Sequence, residues 1–274
     1  MHSPLPSWAR HWVLLTVAAL VLLPLLATLF GGLKSLGELR AHPMALPQQW
    51  MWSNWWEILQ GQRYWAQMGN SLQIALLSVG LTVVLASLAA FSLAFMKLRG
   101  ANLLLGYIML GLMFPLAASI LPLFLRVRDL GLLDSAWGVV LPQAAFGLAT
   151  AVLLLKNAFQ ALPRELLEAA VMDACPWWRC CWRIVLPLAR PTLATVAVLS
   201  FVGSWNAYLL PLVVLNDDKA YPWPLGIMAY QGEYTTDWQL VLAFVTLTLL
   251  PAVLLFLLAQ RHIVAGLTAG AVKS

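Results

Sequence analysis

The sequence predicts an all-α integral membrane protein with six transmembrane helices, and three observations lead to this fold class. The chain of 274 residues is 62% hydrophobic but only 10% charged, with a mean hydropathy of +0.82. A soluble domain of this length could not bury so many apolar side chains, so lipid must surround part of the chain. Six long apolar runs contain no acidic residue, lysine or arginine, and none alternates as a barrel strand does.

Each of the six runs is long enough to cross a bilayer. A helix needs about 20 residues to do so, because a rise of ~1.5 Å per residue must cover ~30 Å of hydrocarbon. The first run exceeds the ~7–15-residue core of a signal peptide, so we expect it to remain as a span. The expected spans are residues 12–33, 71–96, 101–125, 136–155, 192–216 and 238–260, which together form one transmembrane domain over residues 1–274.

The basic residues predict the side of the membrane on which each loop lies. If both termini are cytoplasmic, the inner segments carry ten of the 16 lysines and arginines but only three of the 11 acids. The inner segments then have a net charge of +7 and the outer segments −2, which accounts for the overall +5. The basic balance therefore indicates a membrane topology with both termini inside, and it requires no nucleic-acid partner.

Two loops have distinctive compositions. The outer segment 34–66 contains a tryptophan cluster, which favours a helix in the headgroup zone, with a platform for stacking substrate as the alternative. In the inner loop 156–191, Pro163 and Pro176 are each suited to begin a short helix, and Glu165 falls in a first turn, where the helix dipole favours an acid. The small residues beside its acids permit close approach by a partner; a helix lying on the inner leaflet is the alternative.

The three cysteines, Cys175, Cys180 and Cys181, all lie in this inner loop. A metal site is one interpretation, but no histidine is near and no Cys-x-x-Cys pair exists. We therefore expect the cysteines to act as small apolar residues that stay reduced in the cytoplasm.

The sequence bears on three competing functions. An ion-coupled carrier usually places ionisable groups inside spans despite a cost of about 2.5–3.5 kcal/mol each, and these spans contain none. An enzyme would need paired carboxylates, a metal cluster or a nucleophile with its base, and no such set is visible, so we expect no catalysis. A membrane scaffold remains compatible with the composition. The chain has no Gly-x-x-x-x-Gly-Lys-Ser/Thr phosphate loop, so any ATP would be bound by another chain.

Residues 168–187 resemble the signature loop of ABC-importer permeases. Glu168, Ala169 and Ala170 open the motif, and Ala174 stands where the family normally has glycine. Its closing residues are Ile184, Leu186 and Pro187. Further segments are similar to the carbohydrate branch of that family, the maltose and glycerol-phosphate type, and extend the resemblance over essentially the whole chain: Asn70-Ser-Leu72, Phe114-Pro115, residues 120–124, 130–134 and 141–147, Gly203-Ser-Trp-Asn206, residues 210–212 and the tail 260–273.

The resemblance implies a role for each part of the loop. In the family the loop is a pair of coupling helices seated in a groove of an ATPase subunit. Glu168 would then face a basic residue of that ATPase, Ala169 and Ala170 would allow close packing, and Asp173 belongs to the same docking motif. Because alanine resists the positive φ that glycine adopts freely, we expect the turn at Ala174 to differ from that of the family.

The resemblance also implies a type I importer permease fold in a bacterial inner membrane. This chain would form half of the pathway for a sugar, polyol or glycerol-phosphate solute, and a second related permease would form the other half. Two ATPase subunits would bind ATP and Mg²⁺, a solute-binding protein would deliver the substrate, and this chain would need no cofactor of its own.

Candidate pathway residues offer hydrogen bonds or flat rings within the predicted spans. Trp205, Asn206 and Tyr208 fall in the fifth span, Gln143 in the fourth and Ser119 in the third. Hydrogen bonding between helices is the alternative role for such polar groups in hydrocarbon.

Overall fold

A computed structural model describes residues 7–96 and 98–271, which are almost entirely helical. Among these residues the extended pairing is confined to one isolated antiparallel bridge, between Gln231 and Thr236. The chain divides into two compact units. The first takes in the chain up to Ala66 together with Gly226–Pro251, and the second takes in Gln67–Leu225 and the chain from Ala252 onward.

The helices are numbered here in chain order. In the first half of the chain they are α1 (Ser7–Gly31), α2 (Leu36–Ala41), α3 (Trp52–Gln60), α4 (Gln62–Phe95), α5 (Ala101–Leu110) and α6 (Leu116–Asp129). In the second half they are α7 (Ala136–Gln160), α8 (Arg164–Met172), α9 (Trp177–Cys180), α10 (Leu186–Leu188), α11 (Arg190–Trp205), α12 (Leu209–Val214), α13 (Trp223–Gly226) and α14 (Trp238–Ala271).

Three helices are individually long and apolar enough to cross a membrane: Trp8–Gly31 within α1, then α4 and α7. Two bent pairs qualify if each is taken as one broken span, which gives up to five spans in the described part of the chain. The described apolar stretch at the start of α14, Trp238–Leu254, is shorter. The protein is therefore a multi-pass membrane protein, while the number six stays a prediction.

Proline explains the break in the predicted third span. Residues Ala101–Met113 and α6 meet at an angle of 104°. Phe114 takes an extended conformation (φ −90°, ψ 110°), to which the following Pro115 confines it by steric clash. The predicted fifth span is likewise interrupted between α11 and α12, because Pro211 cannot donate a backbone hydrogen bond and crowds the preceding turn.

In the first unit, polar side chains organise the segment that follows α1. Lys34 is fully buried, and its ammonium group donates hydrogen bonds to the carbonyl oxygens of His42 (2.7 Å) and Pro43 (3.3 Å). The Asn54 side-chain amide donates to the carbonyl oxygens of Gly32 (3.1 Å) and Lys34 (3.0 Å). These bonds fold the segment back on itself and compensate for the burial of a charged lysine.

The tryptophan cluster lies at α3 and its borders. Trp50 and Trp52 stack with ring centroids 6.1 Å apart, and both rings are at least half exposed. Trp56 and Trp65 are also exposed, whereas Asn54 on the other face of α3 is buried. An amphipathic helix with one aromatic, exposed face is the form expected at a membrane interface.

Candidate functional site

The second unit holds the predicted coupling loop on a packed base. Ala170, Cys180, Cys181 and Val185 are buried in one hydrophobic core with the facing ends of α4 and α7. This core includes the rings of Phe91, Phe95 and Phe159. The Trp177 ring contacts Phe91 edge-on, at a centroid distance of 6.2 Å. The inner faces of α8 and α9 are therefore packed against the ends of α4 and α7.

The opposite face of α8 is exposed and carries most of the predicted contact residues. Ala170, which was also expected to pack against a partner, instead lies buried in the core of this chain. Glu168, Ala169 and Asp173 are all exposed, as is the apolar Val171. Met172 has 86% of its surface accessible, an unusual state for a methionine at the end of a helix. A face that combines acids, a small residue and exposed apolar side chains is suited to a protein partner.

The turn between α8 and α9 differs from the expectation for Ala174. This residue adopts the left-handed conformation, with φ +51°, which alanine takes far less readily than glycine. The Cys175 N–H donates to the Ala170 carbonyl (2.9 Å), and the Ala174 N–H donates to the Val171 carbonyl (3.0 Å). This is the hydrogen-bond pattern of a Schellman motif, which satisfies the last carbonyls of α8 and offsets the strain at alanine.

The closing residues of the motif lead into α11. Cys181–Val185 form a widened turn of π-helix. Ile184, within this turn, and Leu186, just after it, pack against the core around Val185. Trp177–Leu188 and α11 meet at an angle of 82°. Pro187, half-buried, and Pro191 lie on either side of this bend, where their missing N–H groups prevent one straight helix.

The cysteines behave as small apolar side chains in this geometry. Cys180 and Cys181 are buried in the apolar core, and Cys175 is half-buried beside the turn. Within the described ranges, no cluster of three or more His, Cys, Asp or Glu side chains is placed to hold a metal ion.

A second feature of this unit is a cavity of about 400 Å³ between α4, α6, α7 and the α11–α12 segment. Gln143 lines this cavity, and its side-chain oxygen accepts hydrogen bonds from the hydroxyls of Ser78 (2.9 Å) and Ser204 (2.6 Å). The Gln143 amide nitrogen is buried and has no hydrogen-bond partner among the described residues. One glutamine therefore joins three helices and still has donors to spare.

The other predicted pathway residues do not line this cavity. The Trp205 ring is buried and stacks on Phe201 with centroids 5.4 Å apart. The Asn206 amide donates to the Val202 carbonyl one turn back (2.9 Å), and the Ser119 hydroxyl donates to Pro115 (3.2 Å). Tyr208 is exposed beyond the end of α11. Of the five candidates, only Gln143 lines the cavity.

The hydroxyl residues of the cavity were missed by the sequence interpretation. Ser78 and Thr82 are four residues apart on α4, and Ser200 and Ser204 are four residues apart on α11, so each pair lies on one helix face. That spacing inside otherwise apolar spans was the available signal. It could not show that the two pairs face Gln143, because this depends on how the helices pack.

Comparison with known proteins assigns the chain to a family. The chain is 33% identical, over 92% of its length and 89% of the relative, to the sulfoquinovosyl glycerol transport system permease protein of Agrobacterium fabrum (strain C58 / ATCC 33970). It is 32% identical, over 97% of its length and 98% of the relative, to the trehalose transport system permease protein of Mycobacterium tuberculosis (strain CDC 1551 / Oshkosh). The diacetylchitobiose uptake system permease protein of Streptomyces coelicolor (strain ATCC BAA-471 / A3(2) / M145) is 30% identical over 95% of this chain and 87% of the relative.

The fold has a solved counterpart. A chain in the crystal structure of a bacterial ABC transporter involved in the import of the acidic polysaccharide alginate superposes with a TM-score of 0.82 at 23% identity, over 94% of this chain and 99% of that one. The predicted all-α importer-permease fold is thereby confirmed. The sequence profile of one family of transporter permeases matches residues 82–268. The chain belongs to the binding-protein-dependent transport system inner membrane components.

Proposed function

We propose that this chain is one permease subunit of an ATP-driven importer for a sugar or a related polyol or glycerol-phosphate solute. The permease relatives named above belong to transport systems for sulfoquinovosyl glycerol, trehalose and diacetylchitobiose, all of which are sugars or glycosides. A second related permease completes the pathway, and a solute-binding protein supplies the substrate. ATP and Mg²⁺ are bound by two ATPase subunits, and this chain contributes no cofactor site.

The observation that carries the proposal is the two-sided packing of α8. Its inner face, at Ala170, is fixed to the core of the second unit, while its outer face presents Glu168 and Met172 to a partner. In the proposed cycle, ATP binding draws the two ATPase subunits together. Each pulls on a coupling loop, and the movement is passed to α7 and α11, which form walls of the cavity. Hydrolysis and release reverse it.

The cavity supports a polyhydroxylated substrate. The residues that line it include Gln143 and several serine and threonine hydroxyls, but no acidic or basic residue. Such groups exchange hydrogen bonds with sugar hydroxyls. We place the loop and both termini on the cytoplasmic side, since the segments that this topology puts inside carry ten of the 16 basic residues.

The test of this proposal is the charge-reversing substitution Glu168→Lys. The variant is expected to insert and fold normally, because Glu168 is exposed and contributes nothing to the core. It should lose most uptake and release its ATPase subunits in detergent, since a carboxylate contact is replaced by repulsion from a basic partner. Uptake of a labelled sugar by cells and recovery of the ATPase with the tagged permease are the two readouts.

A matched control is Glu233→Lys, which makes the same charge change in an exposed loop that follows α13. This control should leave both readouts near wild type. If Glu168→Lys transports sugar as well as Glu233→Lys does, the coupling role of α8 is wrong.

A further inference from the structure

A second groove lies in the second unit, between α4 and the segment that leads from the widened turn into α11. Its volume is about 290 Å³. Its walls are mostly aliphatic, with Val83, Val84 and Leu88 on α4 and Leu193 on α11. None of the residues proposed to contact sugar lines it, so it is distinct from the cavity around Gln143.

A serine inside this groove has no hydrogen-bond partner. Ser87 is 4% exposed, and its hydroxyl finds neither donor nor acceptor within the described part of the chain. A serine in a helix commonly donates to the carbonyl four residues back, as Ser92 does to Leu88 on the same helix (2.9 Å). Leaving a hydroxyl unpaired in apolar surroundings is costly, so this one indicates a ligand with a hydrogen-bonding group at that depth.

A single charged side chain, Arg190, also lines the groove. Arg190 is exposed and makes no hydrogen bond or ion pair with the residues that the structure describes. It opens α11, a helix of 16 residues whose positive dipole end lies at the same place. The exposed ring of Trp182 lies on the same wall, and tryptophan favours the headgroup zone of a membrane.

From this arrangement we infer that the groove binds one anionic phospholipid. The phosphate is held by Arg190 and the start of α11, and an acyl ester carbonyl accepts a hydrogen bond from Ser87. The acyl chain then runs along Val83 and Val84 toward the middle of α4. The ligand matches the groove in each part: anionic at the basic mouth, polar at Ser87 and apolar along the walls. A sugar would leave most of these apolar walls without a partner.

The experiment uses the assembled importer, reconstituted in nanodiscs of phosphatidylcholine with a minor fraction of phosphatidylglycerol. The complex is extracted again in mild detergent, and the retained lipids are counted by mass spectrometry. Arg190→Gln should lower retained phosphatidylglycerol about fivefold to tenfold, the effect of losing one charge-assisted phosphate contact. Arg183→Gln removes an exposed arginine of the same segment that does not line the groove, and should leave retention unchanged.

Ser87→Phe provides a second variant, because its ring fills the groove and should exclude the lipid while Arg190 is intact. Retention that is equal in Arg190→Gln and Arg183→Gln would overturn the proposal. So would a disulfide between Val84→Cys and a cysteine introduced in the partner permease, since the groove would then be filled by protein. Thermal unfolding of each variant verifies that a loss of lipid does not come from misfolding.

Discussion

Ala174 combines a strained backbone with a satisfied hydrogen-bond pattern. The left-handed conformation costs an alanine about 1–2 kcal/mol, because its Cβ approaches the following carbonyl. The two backbone hydrogen bonds that close α8 require this conformation nonetheless. The sequence position of Ala174 indicated the conflict, but only the packing of α8 and α9 decides that the hydrogen bonds prevail over the strain.

Ala174→Gly is therefore expected to raise the stability of the protein by about 1 kcal/mol. The matched control is Ala169→Gly, which makes the same change inside α8 and should lower stability by about 0.5–1 kcal/mol. The two effects have opposite signs for the same substitution. Thermal unfolding of the purified chain in detergent measures both, and a loss of stability in both variants would contradict the assignment of strain to Ala174.

Asp134 is, with Ala174, one of two non-glycine residues with a positive φ in the described part of the chain, at +56°, and it joins two loops. Its carboxylate accepts hydrogen bonds from the backbone N–H groups of Asn216 and Asp217, and its own N–H donates to the Val214 carbonyl (3.1 Å). These backbone donors hold the pKa of the Asp134 carboxyl below its usual range, and the N–H of Asn216 has the largest effect.

Because the pKa of Asp134 is lower in the folded state, its carboxylate stabilises the fold at pH values above the pKa of the unfolded chain, near 4. This stabilisation is lost as the pH falls through the pKa that Asp134 has in the folded protein. Asp134→Asn should remove this acid dependence while keeping a residue that tolerates positive φ. Asp134→Ala should lose the acceptors and add backbone strain, so it should be the less stable variant at pH 7. Unfolding temperatures measured across acidic pH test the ranking; an unchanged acid dependence in Asp134→Asn would refute it.

Among the elements, α7 links the polar cavity to its neighbours through Gln143. The hydroxyls of Ser78 and Ser204 both donate to the Gln143 oxygen, so α4, α7 and α11 share one acceptor. Hydrogen bonds of this kind between membrane helices contribute about 0.6 kcal/mol each, with larger values of about 1–2 kcal/mol in model peptides. The network is therefore a modest contributor to stability.

Gln143→Leu should reduce sugar uptake by at least tenfold and cost about 1 kcal/mol of stability, because it removes the amide and leaves two hydroxyls to find other acceptors. Gln73→Leu makes the same change at an exposed position on α4 outside the cavity and should transport normally. The measurement is initial uptake rate at matched membrane expression. Normal transport by Gln143→Leu would exclude the cavity as part of the substrate pathway.

The positions at which the helices break could not be predicted from the sequence. Spans two and four were foreseen as single helices and correspond to α4 and α7, because uninterrupted apolar runs leave the backbone no alternative to a helix in lipid. The third span contains Pro115 and Pro122, yet the chain breaks at Pro115 and continues as α6 through Pro122. Both prolines look alike in sequence, and tertiary packing decides which one interrupts the helix.

For the whole molecule, the fold class and the protein family could be predicted from the sequence. Hydropathy gives the membrane fold, because the length of a span and the need to satisfy its backbone are set by the bilayer. The loop signature around Glu168 gives the family, and residues 82–268 confirm it. The polar cavity was not predictable beyond Gln143, since it is assembled from hydroxyls on separate helices. The placement of both termini in the cytoplasm remains a prediction from charge alone.

The proposed import cycle requires this chain to work as one permease subunit beside ATPase subunits and a second permease. The most direct measurement is to purify the tagged chain from its native membrane in mild detergent and identify what is recovered with it. We expect an ATPase and a second, related permease in fixed stoichiometry, with ATPase activity that rises when the loaded solute-binding protein is added. Recovery of the chain alone under several mild detergents, with uptake that depends on an ion gradient, would contradict the proposed cycle.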